Sequence, residues 1–188
     1  MLNKPPAVLM TGVTKLQSLH LRKGSAIGQY VAKMLELNPP MKKTYQSPGP
    51  EHDQLFQAEY DHESGARHCD SCDKKNLVIR EPREACPVVH YGLIGSANRV
   101  IRNGPTRDTL RQERGIICFE MEAAGLMDTF PCLVVRGICD YADTHKNKRW
   151  QPYAAATAAA YAKELLEIIP ADQVTSAEKA ADVMQALC

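Results

Sequence analysis

Three short apolar runs constrain this chain more than anything else in it. Val88 to Gly95, Ile116 to Phe119 and Leu133 to Cys139 are each too short for a core helix, and each ends at small or acidic residues. Such runs mark strands buried on both faces that feed loops at their carboxyl ends. Ala123 to Asp128, between the second and third, reads as a helix of small residues. Strand, helix, strand at this spacing argues a βαβ crossover. The expected fold class is α/β, a mostly parallel central sheet flanked by helices.

The flanking helices are read from periodicity. Val8 to Leu21 carries Leu9, Val13, Leu16 and Leu19 or Leu21 at near-helical spacing, and Ile27 to Leu37 repeats it with Ile27, Val31, Met34 and Leu35. Lys23-Gly24-Ser25 joins the two, and Pro39-Pro40 stops the second, because proline removes an amide donor. Thr106 to Arg114 is expected as a short helix capped by Thr106 and closed by Gly115. Trp150 to Ile169 is alanine-rich with one apolar side, so it should pack close to the sheet, and Pro170 ends it. Residues 41–87 turn polar and read as an excursion outside the core. The expected organisation is one domain over residues 1–170 with 41–87 as a polar insertion, followed by a tail, 171–188. In that tail Val174, Val183, Met184 and Leu187 could form a further amphipathic turn.

Composition excludes several classes. With 188 residues, 44% hydrophobic and 24% charged, the chain is an ordinary globular one. Its 23 basic and 22 acidic residues leave a formal charge of +1, so no global field steers it to nucleic acid or anionic lipid. No run approaches the roughly 18 apolar residues of a membrane helix, and the first residues lack the order of a secretory signal. Cys118, Cys132 and Cys139, within apolar runs, read as reduced core thiols, which favours a reducing compartment. A cytoplasmic location is therefore expected, with small-molecule or protein partners rather than nucleic acid or membrane.

The ends of the three runs bring Gly95-Ser96-Ala97-Asn98, Glu120-Met121-Glu122 and Asp140-Tyr141-Ala142-Asp143 to one side of the sheet. In open α/β sheets the ligand crevice lies beyond the carboxyl ends of the strands. Acids in this position also serve as helix N-caps, and both roles stand open for Glu122, Asp140 and Asp143. An unrelated α/β domain whose acids are only caps is the blander reading.

These segments resemble, in order and local wording, the purine and uridine phosphorylase superfamily. Gly92-Leu-Ile-Gly-Ser-Ala-Asn98 is similar to its small-residue segment before a base-contacting pair. Cys118-Phe-Glu-Met-Glu-Ala-Ala124 is similar to its ribose-binding motif. Arg136-Gly-Ile-Cys-Asp-Tyr-Ala-Asp143 is similar to its catalytic strand end, with Cys139-Asp140 where Ser-Asp is usual. The resemblance implies N-glycosidic bond cleavage of purine nucleosides by a nucleosidase or phosphorylase, without cofactor or metal. It makes Asp140 the acid that shares a proton with the leaving base and Glu122 the ribose anchor. Met121 would lie on the sugar or base face. Val100 and Ile101 would touch the base, where relatives often carry an aromatic and an aliphatic residue, and Ser96 would be a further substrate contact. Asp140-x-Ala-Asp143 is closer to the branch that uses water than to the one that uses phosphate.

Leu2-Asn-Lys-Pro-Pro6, Pro48-Gly-Pro-Glu51 and Glu59-Tyr-Asp61 resemble the fungal subgroup, whose members are fused to nucleotide-binding and repeat domains in immune-receptor-like proteins. Nothing before His90 matches the glycine-rich phosphate segment with which the family domain opens. The expectation is thus a nucleoside phosphorylase-like fold truncated at its N-terminus, with the alternative of a catalytically silent nucleoside-binding or signalling module. A sheet without its first strands would leave an unpaired edge and favour self-association, so a homo-oligomer is one expected state. Cys69-x-x-Cys72 beside His68 has the spacing of half a zinc site, with Cys86 and His90 available; incidental thiols in a solvated insertion are the preferred reading, and no metal is expected. Arg99, Arg102 and Arg107 with Asp108 could bind phosphate, but read better as an exposed turn and helix start.

Overall fold

The computed structural model describes residues 4–63, 68–81 and 87–175. Cys86, Cys188, and the tail side chains from Val174 onward lie outside the described residues. The fold is α/β, with several helices and a small parallel sheet.

Helices α1 (Ala7–Lys23), α2 (Ile27–Leu37) and α6 (Gln151–Leu166) form one layer. Their shared core comprises Val13, Leu16, Ile27, Val31, Ala156, Ala160, Tyr161 and Leu165, with Ile169 just past α6. Leu16 is wholly buried, a burial that contributes about 1.5–3 kcal/mol for a side chain of this size. Alanines on α6 let the other helices approach closely. The periodicity foresaw these contacts, except that Leu21 is 90% exposed.

Alpha 2 is capped from another helix. At its start Ile27 N donates to Ser25 Oγ at 3.1 Å, and the Glu164 carboxylate of α6 accepts from Ala26 N at 2.9 Å and from Ser25 Oγ at 3.3 Å. His20 Nε2 lies 3.1 Å from the same carboxylate. A buried acid thus fastens the α1–α2 turn to α6, satisfying the Ala26 amide and orienting the Ser25 hydroxyl that takes the next one. The short α3 (Lys42–Tyr45) follows a 3-10 turn at Pro39–Met41.

Among the described residues the sheet has two strands, β1 (Leu93–Ser96) and β2 (Ile116–Glu120), paired in parallel with an irregularity between Leu93 and Ile94. The crossover between them is α4 (Gly104–Arg114). Asn103 caps it, its Oδ1 accepting from Thr106 N at 2.9 Å, so the helix starts earlier than Thr106 and Thr106 is not the cap. Gly115 closes it at φ 66, a left-handed conformation that costs other residues strain. Beta 1 is shorter than its apolar run: Val88 is 64% exposed and precedes the strand.

The third apolar run departs from expectation. Leu133 to Cys139 forms no strand. It passes instead beside α6, where a Cβ on Gly137 would sit 1.9 Å from the Ala154 carbonyl oxygen, and Leu133 and Val135 pack on the helical core. The apolar run is only partly buried, against a helix rather than in a ladder, and Ile138 stays exposed. After it come Asp140 to Trp150 and then α6. The small α5 (Ala123–Thr129) follows β2, and α7 (Ala171–Thr175) follows Pro170.

The polar excursion is also not what its composition suggested. It holds a second small core of Phe56, Cys69 and Cys72, with Tyr60 and Leu77 packed against it. Phe56 is wholly buried and pairs with Leu77 in an antiparallel bridge. The excursion lies against the segment after Cys139: His62 N donates to Thr144 Oγ1 at 2.9 Å, and Trp150 Nε1 to the His52 carbonyl at 3.0 Å. Among the described residues no helix is long and apolar enough to cross a membrane.

Candidate functional site

The carboxyl ends of β1 and β2, the Leu133 to Asp143 segment and the excursion border one cavity of about 1310 Å³. Small-molecule sites usually occupy roughly 300–1,000 Å³, so this cleft has room beyond a single ligand of that class. Asp140, Glu122, Met121, Val100 and Ile101 all line it. Ser96 does not; its hydroxyl accepts from Ala124 N at 3.0 Å and fixes the start of α5.

Asp140 is held tightly. Its Oδ1 accepts from Ala142 N at 3.0 Å, and its Oδ2 lies 3.2 Å from Lys146 Nζ and accepts from Cys139 Sγ at 3.3 Å. Burial, with the adjacent Asp140 carboxylate, pushes the Cys139 thiol up to about 11, so it stays protonated and available as donor. Ala142 adopts φ 54, the left-handed region that costs a residue with a Cβ about 1–2 kcal/mol. That kink turns the chain between Asp140 and Asp143.

Asp143 is buried and caps its own turn, accepting from His145 N at 3.0 Å. Burial raises its pKa, opposed by His145 and by Arg107, whose guanidinium approaches to 3.6 Å. Arg107 is not the exposed helix start expected of it: it also donates to the Tyr141 carbonyl at 2.9 Å and pairs with Asp108 at 2.8 Å. Arg99 and Arg102 are exposed, as an open turn requires.

Glu122 is exposed, one oxygen accepting from Met121 N at 3.0 Å. The buried acid of this segment is Glu120. Its Oε2 accepts from Glu122 N at 2.8 Å and Ala123 N at 2.7 Å, capping α5 from the end of β2. Burial works to raise its pKa, but the Ser96 hydroxyl, those two amides and Arg136 outweigh it and hold the carboxyl below its ordinary value. Glu120 gives one oxygen to the backbone amides while both Glu120 and Glu122 line the cavity, Glu122 from the exposed side.

Several participants were not singled out from sequence. Lys146 reaches Asp140 across the Ala142 kink. Asp53 and Arg80, both of the excursion, converge on the Tyr141 hydroxyl, which donates to Asp53 Oδ1 and accepts from Arg80. Nothing local to any of these residues announces such long-range partners.

The excursion brings a second group together. One ligand-capable atom each of His62, Cys69 and Cys72 lies within 4.8 Å of the others. Cys69 and Cys72 are buried, not solvated, and burial with the neighbouring thiol pushes Cys69 up to about 11. The histidine next in sequence, His68, is exposed and contributes its carbonyl, 3.3 Å from His62 Nε2.

The chain is similar to a nucleotide-binding leucine-rich repeat (NLR)-like protein of Hyaloscypha variabilis, with 41% identity over 171 residues that make up 89% of this chain and 16% of that protein. The chain therefore spans about a sixth of that relative's length. No family model matches the chain, and no solved structure matches it.

Proposed function

We propose that the cavity takes a purine nucleoside and that the domain cleaves its N-glycosidic bond, in the manner of the purine and uridine phosphorylase superfamily. The observation that carries this reading is the convergence of Asp140, Glu122, Met121, Val100 and Ile101 on one cavity from separate segments. As the bond breaks, the purine gathers negative charge, and Asp140 shares a proton with it while Lys146 adds positive charge alongside. The ribose becomes oxocarbenium-like, and Glu122, accepting hydrogen bonds from its hydroxyls, orients it and favours the positive charge. Met121, Val100 and Ile101 supply apolar contact. Water is the favoured attacking group, from the Asp140-x-Ala-Asp143 pattern.

A second reading is a silent module that binds a nucleoside without turning it over, as part of a larger protein of the NLR-like kind. Its support is that both Asp140 oxygens are already engaged by Ala142 N, Lys146 and Cys139. Free base released from a panel of purine nucleosides, with and without phosphate, separates the readings. Release without phosphate, abolished by Asp140→Asn while binding persists, is the expected result. Binding without release selects the silent module; neither binding nor release refutes both.

A further inference from the structure

The Cys69–Cys72 knot lies outside the nucleoside reading, and its geometry asks for a different occupant. Cys69 and Cys72 flank a tight turn, with Cys72 N 3.3 Å from the Cys69 carbonyl, so both thiols emerge on one side. His62 joins them from across the excursion. A second observation comes from His145. The residue is 5% exposed; neither ring nitrogen has a hydrogen-bond partner, and Nδ1 stands 3.9 Å from the Asp143 carboxylate, beyond hydrogen-bond reach. It stacks on Phe56 at 4.1 Å and meets His62 edge-on at 5.4 Å, while its carbonyl accepts from Cys69 Sγ at 3.7 Å. Buried polar atoms left unpaired cost about 1–3 kcal/mol each, and sites that carry such a deficit commonly hold something that removes it.

We propose that His62, Cys69 and Cys72 bind a zinc ion, with the His145 ring packed beside His62 as a supporting residue. Two thiolates and an imidazole are the soft and borderline donors that select zinc over magnesium or calcium. Zinc–sulfur bonds of about 2.3 Å and zinc–nitrogen bonds of about 2.0 Å put tetrahedral ligands roughly 3.5–3.8 Å apart, so the cluster needs a contraction of at most about 1.3 Å. The His68 carbonyl contact to His62 is of the kind that orients a ligating imidazole through its other nitrogen. Two thiolates neutralise the ion, which suits a pocket built around Phe56. The site would be structural, because it pins the excursion to Thr144 and His145, immediately after the acids of the cavity. It stands independently of which ligand the cavity takes.

The test is metal content of the whole chain, purified without chelator and weighed against protein concentration. One zinc per chain is expected, together with a tetrahedral, thiolate-type absorption spectrum after exchange with cobalt(II). Cys72→Ser and His62→Gln should each lose stoichiometric zinc, and because His62 is only half-buried the second substitution spares the fold. His145→Ala should weaken binding by about 10–100-fold, the usual effect of a supporting residue. A metal-free native chain that takes up no added zinc overturns the proposal, as does a chain whose mass shows a Cys69–Cys72 disulfide after purification under reducing conditions. Retention of full zinc by both Cys72→Ser and His62→Gln would overturn it equally.

Discussion

The helical layer and the cysteine-bearing excursion are both cores, but they are held by different forces. The helical layer buries Val13, Leu16, Ile27, Val31 and Leu165 against one another, with the Glu164 cap at its rim. Among the described residues of the excursion Phe56 is the one wholly buried large side chain, and thiols, stacked rings and hydrogen bonds to the segment after Cys139 surround it. Burial scales with the apolar surface available, so the first can stand on packing alone while the second depends on what it is attached to. A small core of this kind is easy to uncouple from the rest.

Phe56→Ala should have the largest effect, a loss of about 3–5 kcal/mol where a buried aromatic is truncated. The single tryptophan, Trp150, sits at the seam between excursion and α6, bonded to the His52 carbonyl, so its emission reports on that loss. The expected outcome is an early Trp150 transition in urea with the helical circular dichroism retained. One shared midpoint for both probes would show that the two cores unfold as a unit, which breaks the comparison. Leu16→Ala should follow, at about 2–5 kcal/mol, and lower the circular dichroism midpoint more than the Trp150 midpoint. Equal shifts would again merge the regions.

The smallest expected effect sharpens a third contact, between β2 and α5. Because the folded-state pKa of Glu120 is held below the ordinary 4.5, its stabilisation is complete above that value and is lost as pH falls through the folded-state pKa. Glu120→Gln should therefore flatten the acid limb of the stability profile below about pH 4.5, measured by urea midpoints, and change its slope little near pH 7. An unchanged acid limb would place the acid sensitivity in another carboxylate, and not in Asp143, whose raised pKa makes its protonation favour the folded state.

The helices were legible because each carries its own signal. Ile27 and Val31 recur at helical spacing, and α2 runs over the range that spacing defines. Gly115 announces the end of α4. The Leu133 to Cys139 run was not legible as what it is, since an apolar string states that it is buried without stating against what; its destination depends on the absence of a Cβ at Gly137 beside Ala154. The excursion hid its core because Phe56 and Leu77 are isolated among charges, and their meeting is a tertiary event. At the site, chain order indicated which loops converge, but not that Glu120 would take the capping role, that Lys146 would face Asp140, or that His62 rather than His68 would join the cysteines.

The ties between the excursion and the segment after Cys139 span 76 residues from Cys69 to His145, 82 from His62 to Thr144 and 98 from His52 to Trp150. Loops of that length close late, since chain entropy must be overcome before such contacts return anything. During synthesis from the N-terminus, Phe56 and the two thiols emerge well before the residues that shield them. The helical hairpin of α1 and α2 waits for α6 in the same way. The order of assembly is therefore written from the C-terminal side: the segment from Asp140 through α6 is the clasp on which both earlier pieces close.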